Sequence, residues 1–366
     1  MAYIAVKGGK EAIDASRDAL KYDRVKSGKS PDVSLVSSSM GALVDQVMSE
    51  SSLYSETMAA LAIKQAQGSP EEAVFLMRAF RSTLPRKHYT REVKTDEMRV
   101  TRRISAAFKD IPGGQVLGTS SDYTHRLLDY HMIKESPEEL KAWLEEYTGQ
   151  EVTPEKVKKY PKVIDYIRRE GLLREVVSEE EEPADVTKRS LQFPSRRSER
   201  LQILTRGQTG AVTALGYAGL RGYGVLHPTV GELRVGHVAL EIPNPYGEGD
   251  DEDDSYYLGE IRLTEVESLI PVSTPKGQGK SDVEFEVGYG ICYGQNETKA
   301  IAMSILDQAL ETEEVEFPTQ DEEFVLMHID SVEATGFISH LKLPHYVTFQ
   351  AKLDSLRKEG KESGND

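Results

Sequence analysis

The hydrophobic positions of this chain keep two different periods. In the first half they recur at helical spacing, as at Met40, Leu43, Val44, Val47 and Met48. Ser69-Pro70-Glu71-Glu72 is a capping box with proline at the first helical position, which predicts a helix through Phe80, and Ser136-Pro137-Glu138-Glu139 repeats the device. Tyr3 to Val6 predicts a short strand, and the Gly8-Gly9 pair a turn into a first helix. The acidic run Glu179 to Glu182, followed by Pro183, reads as a solvated linker, and the main boundary is placed there. Residues 1–183 are then a mainly helical N-terminal domain and residues 184–366 an α+β C-terminal domain.

Beyond the boundary, Arg196 to Arg206 has helical character and stops at Gly207, after which the period falls to two. Val283, Phe285, Val287, Tyr289, Ile291 and Tyr293 alternate with Glu284, Glu286, Gly288, Gly290 and Cys292, a strand with one apolar face. Ile261 and Leu263 alternate with Glu260, Arg262 and Thr264. Between Leu233 and Ile242 the alternation changes phase at Gly236-His237, which predicts a bulge. These runs make an antiparallel sheet with packed helices, so the fold class is α+β. The block Gly247 to Asp254 reads as an exposed hairpin loop, and Asn296 as the cap of a helix to about Leu310.

Charge narrows the partners. With 45 Lys plus Arg against 61 Asp plus Glu, the net charge is −16, which argues against a surface made to embrace nucleic acid. No run approaches the ~18 apolar residues of a membrane span, and the start MAYIAVKGG lacks the pattern of a secretory leader, so a cytoplasmic address is expected. Cys292 is the single cysteine, which excludes an intrachain disulfide; on a strand face without a neighbour that would lower its pKa, it reads as an inert thiol.

Three clusters can carry chemistry. The first runs through Arg102-Arg103, Lys109-Asp110, Ile111-Pro112-Gly113-Gly114-Gln115 and Asp122-Tyr123-Thr124-His125-Arg126. Amides beside paired glycines, backed by guanidinium groups, can hold phosphate oxygens, though Pro-Gly-Gly is also an ordinary turn and the pattern lacks the ending of a P-loop. The second is Arg221-Gly222-Tyr223-Gly224, then His227-Pro228, Gly231-Glu232 and Arg234, where glycines admit a ligand to the backbone, Tyr223 can stack on a base and His227 can exchange a proton; a tight loop before a strand is the plainer reading. The third joins Asp321-Glu322-Glu323 and His328 to His340-Leu341-Lys342-Leu343-Pro344-His345. Two histidines five apart do not share a helix face, but Pro344 can end a helix and fold both imidazoles toward one point. Two imidazoles underfill a zinc site, leaving further ligands to His328, a carboxylate, water or another chain. The acidic trio reads equally as a helix N-terminal charge run.

At these clusters the sequence resembles the I subunit of the carbon-phosphorus lyase system. The resemblance is carried by Ala5-Val6-Lys7-Gly8-Gly9, Lys109 to Gln115, Asp122 to Asp129, the Arg221 to Pro228 loop, Asp321 to Leu326 and, most specifically, Ser339-His340-Leu341-Lys342-Leu343-Pro344-His345-Tyr346-Val347. Little of the family pattern is recognisable from Lys134 to about Ser190 or in the acidic block. The resemblance implies a subunit that works with the G, H and L proteins to replace the purine of ATP or GTP with an alkylphosphonate, and that alone resembles a nucleosidase. It implies docking to the J subunit, which breaks the carbon-phosphorus bond later, a zinc ion held by His340 and His345 near that interface, and magnesium carried with the nucleotide. Cleavage of an N-glycosidic bond builds an oxocarbenium-like ribose and a purine that needs a proton, roles for which Asp321, Glu322, Glu323, His125 and His227 are candidates. Arg102, Arg103, Lys109, Gly113, Gly114, Arg126, Arg221, Gly222, Tyr223 and Gly224 are candidates for binding the anionic substrates. A non-catalytic scaffold and an independent metal-dependent hydrolase remain as alternatives.

Overall fold

The computed structural model describes residues 9–149, 160–174, 182–222, 228–247, 254–276, 280–312 and 314–362. The strand expected at Tyr3 to Val6 and most of the expected linker at Glu179 to Glu182 lie outside them. Five helices lead the chain: α1 (Gly9–Val25), α2 (Val33–Ser39), α3 (Gly41–Ser51), α4 (Glu56–Gln65) and α5 (Pro70–Ser82). The cap read from the sequence starts α5, where the Ser69 hydroxyl accepts from the Glu72 amide at 3.4 Å, and Ala73, Val74 and Met77 then fall on one buried face. That face packs with Val44, Val47 and Met48 of α3 and Ala59, Ala60 and Ile63 of α4. Strand β1 (Arg99–Ile104) follows, then α6 (Pro137–Thr148) and α7 (Ile164–Arg169), with Ser136 capping α6 as Ser69 caps α5.

The second half holds α8 (Arg197–Arg206), α9 (Thr209–Leu220), β2 (Thr229–Pro243), β3 (Ser255–Lys276), β4 (Lys280–Tyr293), α10 (Glu297–Ala309), α11 (Glu322–His328), α12 (Ser331–His340) and α13 (Tyr346–Glu362). The sheet is antiparallel in the order β1-β2-β3-β4. Its edge strand therefore comes from the N-terminal half, and the division at residue 183 separates helix-rich from mixed sequence without separating the sheet. The stretch from Ser105 to Asp129 is turns and loop rather than helix, as its Pro-Gly-Gly segment requires.

One face of the sheet carries the main core, in which Leu233, Val235, Val266 and Cys292 meet Leu204, Val212, Ala300, Met303, Leu306, Val325 and Ile329 from α8 to α11. The close approach of α10 to β4 depends on glycine: a Cβ at Gly288 or Gly290 would sit 2.0 Å from the carbonyl oxygen of Ser304 or Ala300. The face of β4 that reads as polar is thus the one pressed against a helix, with Cys292 fully buried in it, and the strand is covered on both sides. A similar double burial corrects the expected bulge at Gly236-His237. Leu233 to Val238 are buried or nearly so at every position, which removes the alternation, and the ladder to β3 is continuous there. The irregularity lies on the facing strand, between Val100 and Arg102. The acidic block falls in the β2–β3 connection, with residues 248–253 outside those described. Asn296 occupies the N-cap of α10, but its side chain donates back to the Tyr293 carbonyl instead of capping.

Candidate functional site

Arg102 and Arg103 are neighbours on β1, so the pleat sends them to opposite faces of the sheet. Arg103 goes to the face away from the main core and is fully buried. Its Nε donates to Glu232, its other nitrogens donate to the carbonyls of Pro112 at 2.7 Å and Pro161 at 2.8 Å, and Tyr160 lies 5.2 Å beneath the guanidinium. The Pro-Gly-Gly turn thus offers carbonyl oxygens to an internal arginine, an arrangement of opposite sense to a phosphate cradle. Gly113 is still required, since a Cβ there would meet Tyr160 at 2.6 Å.

Beside Arg103 lies a sheet of charge. Arg234 donates to Glu265, which also accepts from Thr95 at 2.6 Å, Tyr289 at 2.9 Å and Lys162 at 3.0 Å, while Lys162 reaches Glu267 at 2.9 Å. Burial pushes carboxyls up, but Arg234 and Lys162 outweigh it at Glu265 and hold that group down at about 2. Glu267 moves the other way, raised by burial and by its neighbour Glu265. The fold brings Glu232 and Arg234 of the second cluster to Arg103 of the first. The sequence does not reveal that meeting, nor Lys162, Glu265, Glu267 or Tyr289, although two glutamates at i and i+2 in the apolar run Val266 to Ile270 and its flank are a usable signal for a charged strand face.

Arg102 projects toward α10. It donates to Glu297 at 2.8 Å, to the Leu117 carbonyl at 2.6 Å and to Asp122, and these carboxylates overcome burial and raise its pKa. The Asp122 side chain is about half exposed at 52% against 4% for Arg102. The turn that follows leaves His125 and Arg126 at the surface, with Arg126 at φ 54° and near enough to help hold the Asp122 carboxyl below its ordinary range, after Ser120 and Arg102. Lys109 is exposed. Of the first cluster, Lys109, Asp122, His125 and Arg126 reach solvent, while Arg102 lies buried beneath them, held by Asp122 and by Glu297 of α10.

The second cluster is described only at its start. Arg221 ends α9, stacked 5.8 Å over the Tyr217 ring, and Gly222 adopts φ 107°; Tyr223, Gly224 and His227 lie outside the described residues. In the third cluster, Asp321 caps α11 by accepting from the Phe324 amide at 2.9 Å, Glu322 accepts from the amide of Ser195 at 2.8 Å, and Glu323 is exposed. Two of these carboxylates therefore serve the local fold. His340 and His345 do converge, with ring centroids 5.5 Å apart. The device differs from the expected one, because α12 ends at His340, ahead of Pro344, and a turn closed by the Leu343 amide on the His340 carbonyl at 2.9 Å folds His345 back. Each Nδ1 faces a backbone carbonyl, that of Phe337 for His340 and that of Leu343 at 2.6 Å for His345, which leaves the lone pair of each Nε2 free to ligate a metal. This donor set fits half of a tetrahedral zinc site, and among the described residues no third His, Cys, Asp or Glu joins it.

Set against known proteins, residues 2–363 match the model of the bacterial phosphonate metabolism protein family, PhnI. The chain belongs to this family. It is 43% identical, over 98% of its length and 95% of the relative's, to an alpha-D-ribose 1-methylphosphonate 5-triphosphate synthase subunit PhnI of Rhizobium meliloti. It is 41% identical over the same shares to a putative C-P lyase subunit protein HtxH of Stutzerimonas stutzeri, and 40% identical to the PhnI subunit of Escherichia coli over 97% of the chain and 98% of that protein. Similarity over the whole length places this PhnI-family chain in phosphonate metabolism. No helix among the described residues is long and apolar enough to cross a membrane.

Proposed function

We infer that this chain is the subunit of the carbon-phosphorus lyase system in which the ribose 5-triphosphate of ATP or GTP passes from the purine to an alkylphosphonate, in a complex with the G, H, J and L proteins. The observation that carries the reading is the end-to-end match to relatives named for a ribose 1-methylphosphonate 5-triphosphate synthase. The accessible group around Arg102 suits the reaction. Asp122 and Glu297 supply carboxylate for an oxocarbenium-like ribose, Arg102 fixes both in place, and His125 stands on the same turn as a proton donor for the leaving purine. In a nucleosidase reaction of the chain alone, water takes the phosphonate's place.

His340 and His345 would hold a zinc ion through their Nε2 atoms, with the remaining ligands from a partner. When bound, such an ion supplies a Lewis acid to an anionic oxygen. Each histidine's contribution is orientation, its Nδ1 fixed by a backbone carbonyl.

Incubating the purified chain with GTP and separating the products tests the reading. Free guanine with the triphosphate still on ribose is the expected result; inorganic phosphate with the base still attached would identify an ordinary phosphohydrolase and sink it. In the assembled complex, the His340→Ala, His345→Ala double variant is expected to lose bound zinc while the chain alone still releases guanine. Full zinc content in that variant would remove the ligand assignment.

A further inference from the structure

Where α5 meets the end of α8, arginines outnumber the carboxylates near them. Arg78 and Arg81 lie one turn apart on α5, and Arg206 is the last residue of α8. Arg78 is fully used: it donates to Asp330 at 2.6 Å, to the Glu50 carbonyl at 2.8 and 3.0 Å, and to the carbonyl of Arg206 itself at 3.2 Å. Arg81 donates to the Ser51 carbonyl at 2.6 Å and Arg206 to the Val186 carbonyl at 3.2 Å, and neither has a carboxylate within ion-pair distance among the described residues. The Nε of Arg206 is buried without a partner. Just past α5, Arg86 extends the row, 3.6 Å from Asp185 and 40% exposed.

The charge closes only in part. Asp330 pairs with Arg78 and supports Arg206, Glu333 also supports Arg206, and Asp185 stands near Arg81 and Arg86, so four guanidinium groups meet three carboxylates. Arg206 feels Arg78 and Arg81 strongly enough that burial and these neighbours bring its pKa to about 10, against weaker support from Asp330 and Glu333. Clustering like charges in a partly desolvated site is unfavourable unless an anion completes it. The protein as a whole carries −16, so the positive charge is a local construction.

We propose that Arg206, Arg81 and Arg86, with Arg78 adding its charge behind them, bind an extended polyphosphate anion. The row runs from the end of α8 along α5 and offers free guanidinium donors at several successive points, which suits a chain of phosphates better than a single one. Read with the function inferred above, the anion is the triphosphate of the nucleotide; the row itself does not depend on that reading.

Calorimetric titration of the full chain with inorganic tripolyphosphate tests it, with orthophosphate as the comparison. The expected result is tighter binding of tripolyphosphate, weakened about tenfold or more by Arg206→Gln and by Arg81→Gln and less by Arg206→Lys, which keeps the charge. Arg174→Gln, at an exposed pair with Glu286 on the edge of the sheet, is expected to bind as the parent does. Tripolyphosphate is also expected to raise the Tm of the parent and not of Arg206→Gln. Parent-like binding by Arg206→Gln and Arg81→Gln overturns the site, as does absence of binding by the parent. If Arg206→Gln fails to fold, the exposed Arg86→Gln decides in the same way. The probe carries no purine or ribose, so a failure here leaves guanine release standing, and a failure of guanine release leaves this site standing.

Discussion

On the sheet, Arg103 and Arg234 are each buried beside a carboxylate of their own, Glu232 and Glu265, whereas of Arg78, Arg81 and Arg206 only Arg78 has a carboxylate, Asp330, within ion-pair distance among the described residues. Both groups contain an arginine nitrogen that is buried without a partner, NH1 of Arg234 and Nε of Arg206, so an orphan donor does not separate them. Net charge does. Arg103, Arg234 and Lys162 face Glu232, Glu265 and Glu267 and cancel internally, which describes a structural network that holds the segment from Tyr160 to Arg169 against the sheet. The second group leaves positive charge for something outside the chain. A buried arginine is therefore evidence of a site only after its carboxylates have been accounted for, and that rule moves Arg103 from the substrate-binding set expected from sequence into the scaffold.

The largest effect should follow from breaking a self-paired arginine. Glu232→Gln leaves Arg103 without a counter-charge at a place that is 0% exposed, and weakens the anchor that Glu232 gives the Val163 amide at 3.0 Å. A loss of about 3–5 kcal/mol is expected in denaturant unfolding, as for other buried pairs from which one partner is removed. A loss below about 1 kcal/mol would show that the network is not closed and would erase its difference from the row on α5.

A smaller, pH-dependent effect distinguishes Glu265. Its folded pKa of about 2 lies below that of the unfolded chain, so its contribution is complete above the ordinary glutamate range and is lost as pH falls through that range toward 2. Glu267, shifted upward, runs in the opposite sense and flattens the whole-protein curve. The clean measurement is the stability gap between parent and Glu265→Gln, expected to be about 2 kcal/mol or more near pH 6 and to narrow steadily toward pH 2. A gap that stays constant with pH would mean that Arg234 and Lys162 do not hold the carboxyl down.

Much of this was legible before any coordinates. Capping boxes at Ser69 and Ser136 announce helices because cap chemistry is local, and the strands at β3 and β4 show in their period of two. Double burial hides the rest. It removes alternation from β2, makes Gly288 and Gly290 look like a polar face when they are the contact to α10, and conceals that Arg102 and Arg103 are interior groups. The convergence of His340 and His345 follows from sequence, but by a turn after α12 rather than by Pro344. The row on α5 and α8 joins residues more than a hundred positions apart, and no spacing rule connects Arg81 to Arg206.

The smallest stability effect, and the one whose sign matters most, is expected at Arg206. If this arginine were a structural group like Arg103, Arg206→Gln would destabilise at every pH. If it waits for an anion, removing its charge relieves repulsion from Arg78 and Arg81, and the variant should match or exceed the parent's Tm at neutral pH without ligand. The pH dependence gives a second sign. Arg206 has a folded pKa of about 10, lower than in the unfolded chain, so between that value and the ordinary guanidinium range the unfolded state binds more protons. The parent should therefore gain stability relative to Arg206→Gln as pH rises from about 9 toward 12, within reach of paired thermal melts of the two proteins in the same buffers. Tripolyphosphate at neutral pH should reverse the order of the two melting temperatures by stabilising the parent alone. A variant that melts well below the parent at pH 7, with a gap insensitive to alkali and to tripolyphosphate, would place Arg206 with the self-contained arginines of the sheet.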